Sequence, residues 1–97
     1  MEYKIEIEPL AYAQILEAVE FLKRVSFSAA ESLYKEIMES ISSLSSMPLR
    51  FPIDDTYKVS KEEERKMIIC NGRYFILYCI ENNSVHVEYF HDSRQNK

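Results

Sequence analysis

Hydrophobic and polar side chains alternate at the start of the chain and then change to a helical spacing. In residues 2–8 the apolar side chains occupy every second position, which is typical of a strand covered on one face. Pro9 follows, and proline is favoured at the first position of a helix because its missing N–H needs no partner there. Apolar residues then recur every three or four positions. The pattern predicts a strand over 2–8 and an amphipathic helix over 10–25.

A second helical pattern begins after a short polar break. Ser28 and Glu31 have the spacing of a capping box, in which the serine side chain caps the first turn and the glutamate reaches back to the serine N–H. Apolar residues continue at helical spacing up to a serine-rich stretch before Pro48, and the residue preceding a proline is disfavoured in a helix. We therefore predict a helix over 29–46 that packs antiparallel to the first as a helical hairpin.

The last third of the chain has the composition of strands. Three runs rich in Ile, Val, Tyr and Phe are separated by Asn71-Gly72, a strong signal of a type I′ hairpin turn, and by the polar stretch 81–84. The predicted fold class is α+β: one domain over 1–97 with an N-terminal strand, an antiparallel helical hairpin and a three-stranded antiparallel β-meander. The remaining predicted segments are a loop over 47–64, strands over 65–70, 73–80 and 85–90, and a tail over 91–97.

The turn at Asn71-Gly72 fixes which residues of the first two meander strands face each other, and it places Ile68 opposite Phe75. Both faces of the meander then carry apolar side chains, and the helical hairpin is able to cover only one of them. The other face carries Ile68, Phe75 and Leu77. We expect a partner protein to cover this face, with the loop over 47–63 as the alternative cover.

The chain is acidic, with a formal net charge of −4. A nucleic-acid-binding protein needs a surplus of Lys and Arg near the phosphates, so this balance argues against direct, sequence-specific binding of nucleic acid. The acidic surplus lies in residues 1–46, which carry eight acidic and four basic side chains. Residues 47–97 carry eight of each, so any local basic site is expected in the second half.

Cysteine usage and hydropathy define the expected surroundings of the protein. Two cysteines are too few for a disulfide framework, and their spacing relative to the histidines matches no zinc motif. A single glycine excludes a glycine-rich nucleotide loop. From the cysteine spacing and this absence together we expect neither a metal ion nor a cofactor.

No apolar run approaches the length of a membrane span, and the alternating start does not have the pattern of a signal peptide. We expect a cytoplasmic protein with reduced thiols and no membrane contact.

Three stretches of the chain resemble segments of the RelE/ParE toxins, the toxic halves of bacterial toxin–antitoxin pairs. Residues 73–78, Arg-Tyr-Phe-Ile-Leu-Tyr, are similar to the family's Tyr-Arg-hydrophobic-hydrophobic-Tyr strand. Residues 85–94 resemble its last strand with the His-x-x-Arg ending of the ParE branch, here His91 and Arg94. Residues 5–11, Ile-Glu-Ile-Glu-Pro-Leu-Ala, resemble the first strand running into the first helix. The order of the predicted elements is similar to the family's over nearly the whole chain.

What the resemblance implies depends on the branch. RelE-like members are ribosome-dependent ribonucleases that cut mRNA, whereas ParE-like members poison DNA gyrase. Members of both branches are held inactive by a cognate antitoxin that wraps around the toxin. The resemblance therefore implies a growth-inhibiting toxin of a type II module, of the kind associated with plasmid stabilisation. Its implied partners are the cognate antitoxin and, as target, DNA gyrase or the ribosome.

The resemblance favours the ParE side because the nuclease residues are sparse. Phe75 stands where RelE-like proteins have a catalytic arginine. Cleavage of a phosphodiester needs a general base, an acid and cationic groups that stabilise the transition state, and phenylalanine supplies none of these. The alternatives are a RelE-like mRNA endoribonuclease or a toxin fold that has lost toxicity. The candidate catalytic residues of the nuclease alternative are Lys66, Arg73, His91 and Arg94.

The resemblance and the predicted sheet also suggest binding residues. Each basic candidate has a structural alternative: Arg94 can pair with Asp92, and the basic residues near position 65 can balance the acidic run 62–64. The candidate target-binding residues are His91, Arg94 and Arg65, and the candidate antitoxin-binding residues are Ile68, Phe75 and Leu77.

Overall fold

Two helices pack on one face of a four-stranded mixed sheet in this computed structural model, which describes residues 2–55 and 63–94. The predicted α+β class is confirmed. Each predicted helix and strand is present, with boundaries that differ by a few residues. The elements in chain order are β1 (Lys4–Ile7), α1 (Pro9–Lys23), α2 (Phe27–Ser42), β2 (Arg65–Ile69), β3 (Tyr74–Glu81) and β4 (Ser84–Asp92).

The strand order in the sheet is β1-β4-β3-β2. The strands β2, β3 and β4 pair antiparallel as predicted, but β1 adds to β4 in parallel, with Ile5 opposite Val85 and Ile7 opposite Val87. The three-stranded meander is therefore part of a larger mixed sheet. A parallel pair needs a long crossover, which the helical hairpin supplies here together with β2 and β3. Hydrophobic alternation identifies β1 as a strand but does not reveal its partner.

The turn between β2 and β3 has the geometry that Asn71-Gly72 predicts. Asn71 and Gly72 have φ values of 56° and 88°, and Arg73 N–H donates to the carbonyl oxygen of Cys70 at 3.0 Å. Positive φ at both central positions is what a type I′ turn requires. The register is confirmed, because Ile68 lies opposite Phe75.

The start of α2 differs from the prediction. The helix begins at Phe27, and Ser26 is its N-cap, with its Oγ accepting a hydrogen bond from Ala29 N–H at 3.1 Å. The capping box predicted at Ser28 and Glu31 is wrong. Ser26 and Ser28 both lie near the start of the helix, and the capping-box spacing from Ser28 to Glu31 favoured the wrong one.

The end of β4 also differs from the prediction. The strand continues to Asp92, and His91 pairs with Phe75, so the predicted tail over 91–97 is wrong for its first two residues. A bulge shifts the register between Leu77 and Tyr78. Such a bulge adds a residue to one strand and changes its twist. Residues 95–97 lie outside the described part of the chain.

The helices cover the inner face of the sheet, which is the face that carries Tyr74, Ile76 and Tyr78. These side chains form one core cluster with the apolar stripes of both helices. Burial of each large apolar side chain contributes about 1.5–3 kcal/mol. The side chains with almost no exposed surface include Ile15, Ile37, Leu44, Ile76, Tyr78, Val85 and Val87. Within 2–55 and 63–94, no helix is both long and apolar enough to cross a membrane.

The segment that follows α2 is held against the sheet by main-chain carbonyl groups. Tyr78 Oη donates to the carbonyl oxygen of Pro48, and Arg65 Nη1 donates to those of Phe51, at 2.6 Å, and Leu49, at 3.3 Å. Burial raises the pKa of Tyr78 to about 12, so its hydroxyl remains a donor at neutral pH. The predicted loop over 47–64 thus holds a short 3-10 turn at Pro48–Arg50, while its residues 56–62 lie outside the described part.

Replacing Tyr78 by Phe should destabilise the protein by about 1–2 kcal/mol, because the buried carbonyl of Pro48 would lose its donor. Urea unfolding followed by circular dichroism measures this change. Tyr12→Phe is the matched control, since Tyr12 is exposed, and it should cost less than about 0.5 kcal/mol. Equal effects of the two substitutions would contradict the proposed role of the Tyr78 hydroxyl.

Candidate functional site

The outer face of the sheet is the face that the helices do not cover, and it carries most of the candidate functional residues. At its centre lie Phe75, Leu77 and Cys79, which are only 3%, 0% and 2% exposed. The prediction that Phe75 and Leu77 form an open apolar face is wrong, because the chain itself buries them. Ile68, on the edge strand β2, is 61% exposed. Of the three predicted antitoxin-binding residues, Ile68 is therefore the accessible one.

Long side chains of the neighbouring strands cover Phe75. Lys66 Nζ lies 4.4 Å from the centre of the Phe75 ring, and the ring centres of His91 and Tyr89 lie 5.3 Å and 6.4 Å from it. We call these four residues the Phe75 cluster. A lysine stem covers apolar surface while its ammonium group stays in contact with water and with the aromatic face. This explains how a sheet face without a layer of helices becomes buried.

The histidine of the Phe75 cluster is held by its neighbour two residues earlier. The Tyr89 hydroxyl and His91 Nδ1 are 3.2 Å apart, and the two rings stack with their centres 5.5 Å apart. Lys66 Nζ also lies 3.8 Å from Asp54 Oδ2. The cluster thus combines one amine, one imidazole and one phenol within a small area. Such groups can take part in proton transfer or in binding an anionic or aromatic group.

The other two candidate catalytic residues lie elsewhere, at the end of β4. Arg73 Nε lies 3.4 Å from Asp92 Oδ2, and Arg94 N–H donates to Asp92 Oδ1 at 2.9 Å. Burial alone would raise the pKa of Asp92, but the Arg94 N–H and the Arg73 guanidinium outweigh it, so the pKa is lowered. The four candidates therefore divide into two groups. Lys66 and His91 contact Phe75, whereas Arg73 and Arg94 pair with Asp92.

Arg65 was a candidate target-binding residue, and its guanidinium already has structural partners. Its Nη1 donates to the carbonyl oxygens of Leu49 and Phe51. A target that engaged the same nitrogen would release this segment from the sheet. The role of Arg65 in target binding stays a prediction, and the structure adds a stabilising role that the sequence alone did not reveal.

A histidine surrounded by glutamates lies at the β1 end of the outer face. His86 Nδ1 lies 3.0 Å from Glu8 Oε2 and 3.6 Å from Glu6 Oε1, and its Nε2 lies 3.9 Å from Glu81 Oε1. The hydrogen bond with Glu8 is the main cause that raises the pKa of His86, helped by the charges of Glu6 and Glu81 and opposed by burial. Sequence reasoning missed this group, because its members are far apart along the chain.

A second acidic group lies beside it and contains a thiol. Glu64 and Cys79 are almost fully buried, and Cys79 Sγ donates to Glu88 Oε2 at 3.4 Å. Ligand atoms of Glu64, Cys79 and Glu88 lie within 4.8 Å of one another, as do those of Glu6, Glu8 and His86. Both groups have atom types that bind divalent metal ions. The spacing of the cysteines in the sequence did not reveal these carboxylate neighbours of Cys79.

The other cysteine lies at the β2–β3 turn. Cys70 lines a cleft of about 340 Å³ between this turn and α2, and both cysteines are free thiols. Burial, followed by the nearby carboxylate of Glu36, raises the pKa of Cys70 to about 11. A thiol that is protonated at neutral pH is a poor nucleophile.

The outer face therefore has two halves of different charge. The Phe75 cluster forms a half that contains basic and aromatic groups. The groups around His86 and Cys79 form the other half, which carries the side chains of Glu6, Glu8, Glu64, Glu81 and Glu88. The exposed carboxylates of Glu6, Glu8 and Glu81 repel a phosphate backbone that crosses this half of the sheet. This half of the face therefore disfavours a long nucleic acid.

Comparison with known proteins gives no assignment. No family model matches the chain, and no curated protein matches it at a significant level.

Replacing Phe75 by Ala should destabilise the protein by about 3 kcal/mol, because the ring is buried under Lys66 and His91 within the monomer. Ile68→Ala, an exposed neighbour on the same face, should cost less than about 1 kcal/mol. Chemical unfolding of the isolated protein measures both. Similar, small costs for both substitutions would mean that the monomer does not bury Phe75.

Replacing Asp92 by Asn should reduce stability at neutral pH. It should also make the stability change less with pH in the acidic range. The folded-state pKa of Asp92 is lowered, so its contribution is present above the ordinary value of 3.8 and is lost as the pH falls through the folded value. Thermal unfolding of both proteins across this range measures the effect. Asp55→Asn, at an exposed carboxylate, is the control and should leave the loss of stability at acidic pH unchanged.

Proposed function

We propose that the protein is the toxin of a type II toxin–antitoxin module and acts by binding a cellular target, in the manner of ParE-like inhibitors of DNA gyrase. The observation that carries this proposal is the order of elements. A strand, a helical hairpin and three antiparallel strands follow one another in this chain. This is the order on which the resemblance to RelE/ParE toxins rests, and it supports the finer description of the fold as RelE/ParE-like.

The arrangement of the candidate catalytic residues supports inhibition by binding over cleavage of RNA. Cleavage needs an acid, a base and cationic groups around one phosphate. In this protein Lys66 and His91 flank an aromatic ring, while Arg73 and Arg94 are engaged by Asp92. The position of the catalytic arginine is a buried phenylalanine. The acidic half of the outer face further opposes the approach of mRNA.

The surface best suited to the antitoxin is the free edge of β2. Residues 52–54 pair with the first part of this strand, since Lys66 N–H donates to Pro52 O and Asp54 N–H donates to Glu64 O. In the described part of the chain no strand pairs with the outer side of residues 67–69. Ile68, which is 61% exposed, lies on this part of the strand. An extended antitoxin segment can add to such an edge and bury this side chain.

Expression of the protein in a bacterium without its antitoxin should arrest growth, with DNA damage and loss of plasmid supercoiling before protein synthesis stops. Gel analysis of plasmid topology and labelling of new protein over the same time course measure both. Early loss of translation with intact DNA, and mRNA cuts at codon positions that His91→Ala abolishes, would identify the nuclease instead. Harmless expression of folded protein would mean that the fold has lost toxicity.

Ile68→Asp should weaken neutralisation by the antitoxin while leaving toxicity unchanged, because it places a charge at the exposed edge of β2 and not in the core. Co-expression of the variant with the protein encoded by the adjacent reading frame measures neutralisation. Val25→Asp is the control, since Val25 is as exposed but lies at the tip of the helical hairpin. If Ile68→Asp is neutralised as fully as the control, the antitoxin binds elsewhere.

A further inference from the structure

The group around His86 is built on main-chain positions that the sheet fixes. Glu6 lies directly opposite His86 in the parallel pair of β1 and β4. Glu8 follows at the end of β1, where its N–H donates to Val87 O at 2.8 Å. Only side-chain rotations are therefore needed to adjust the ligand atoms, which already lie within 4.8 Å of one another. A site on paired strands has less backbone freedom than one on a loop.

The group carries more negative than positive charge. The carboxylates of Glu6, Glu8 and Glu81 all face the imidazole of His86. Among the residues that the structure describes, no Lys or Arg forms an ion pair with any of these glutamates. A proton on Nδ1 hydrogen-bonds to Glu8 Oε2 at 3.0 Å and balances one carboxylate. A divalent cation in its place would bind the Nδ1 lone pair and balance two.

The distances suit a metal ion. In a tetrahedral site with bonds of about 2.1 Å, neighbouring ligand atoms lie about 3.4 Å apart. His86 Nδ1 lies 3.0 Å from Glu8 Oε2 and 3.6 Å from Glu6 Oε1. One imidazole nitrogen with two carboxylates is a donor set for zinc or manganese, and it disfavours calcium and magnesium, which prefer oxygen ligands alone. We propose that Glu6, Glu8 and His86 form a binding site for a divalent transition-metal ion, with Zn²⁺ as the best fit.

Glu81 has a different part in this site. Its Oε1 lies 3.9 Å from His86 Nε2, on the side of the ring away from the proposed ion. A carboxylate on this side favours the tautomer with its proton on Nε2, which leaves Nδ1 available as a ligand. Glu81 is thus a positioning residue. Bound zinc would join β1 to β4 and stabilise the parallel pair.

Titration calorimetry of the full chain with Zn²⁺ alone, at about pH 8 so that the imidazole is deprotonated, tests the site. We expect one ion per chain and a rise in melting temperature. His86→Gln should weaken binding by at least about tenfold, and Glu81→Gln by roughly 10-fold to 100-fold. His91→Gln is the matched control, because His91 lies in the Phe75 cluster, and it should bind as the unchanged protein does.

Cys79→Ser separates this site from the neighbouring group of Glu64, Cys79 and Glu88. It should retain zinc binding. Loss of binding in Cys79→Ser with full binding in His86→Gln would overturn the assignment. So would absence of heat and of any melting shift with the unchanged protein, which would leave His86 as an ion-pair partner only. Binding of Ca²⁺ as tight as that of Zn²⁺ would also contradict a ligand role for the imidazole. None of these outcomes depends on toxicity.

Discussion

The burial of β3 on both of its faces is the constraint on which the structure depends. Six consecutive residues, 74–79, have almost no contact with solvent. Such a strand normally lies between two layers of secondary structure. Here the helical hairpin supplies one layer, and on the other side the long side chains of β2 and β4 lie over the strand. Within residues 2–55 and 63–94, these side chains take the place of a second layer.

This second kind of cover determines the chemistry of the outer face. Side chains that shield an apolar strand and still meet water must have an apolar body and a polar tip, which restricts the choice to residues such as lysine, tyrosine and histidine. The residues over Phe75 are of these three types. Lys66 and His91, two of these residues, are also candidate catalytic residues in the sequence. Their packing over Phe75 accounts for their presence without a catalytic role.

Local patterns predicted most of the fold, and they failed where the structure depends on distant residues. The turn at Asn71-Gly72 requires positive φ values that few residue pairs adopt easily, so it fixed the register of β2 and β3 correctly. The partner of β1 was missed, since alternation is the same for a strand at any edge. The cluster around His86 was missed for a related reason: its members come from β1, β3 and β4 and have no common spacing in sequence. The cover of Phe75 was missed because it depends on side-chain orientation.

The parallel pairing of β1 with β4 also has a consequence for how the chain matures. Lys4 pairs with Ser84, so β1 leaves the ribosome well before its partner β4. Closing so large a loop is entropically costly, whereas the hairpins among β2, β3 and β4 are local and form readily. The sheet of a nascent chain therefore stays open until β4 has been made. A newly made molecule completes this sheet, and any activity that needs it, only after β4 has left the ribosome.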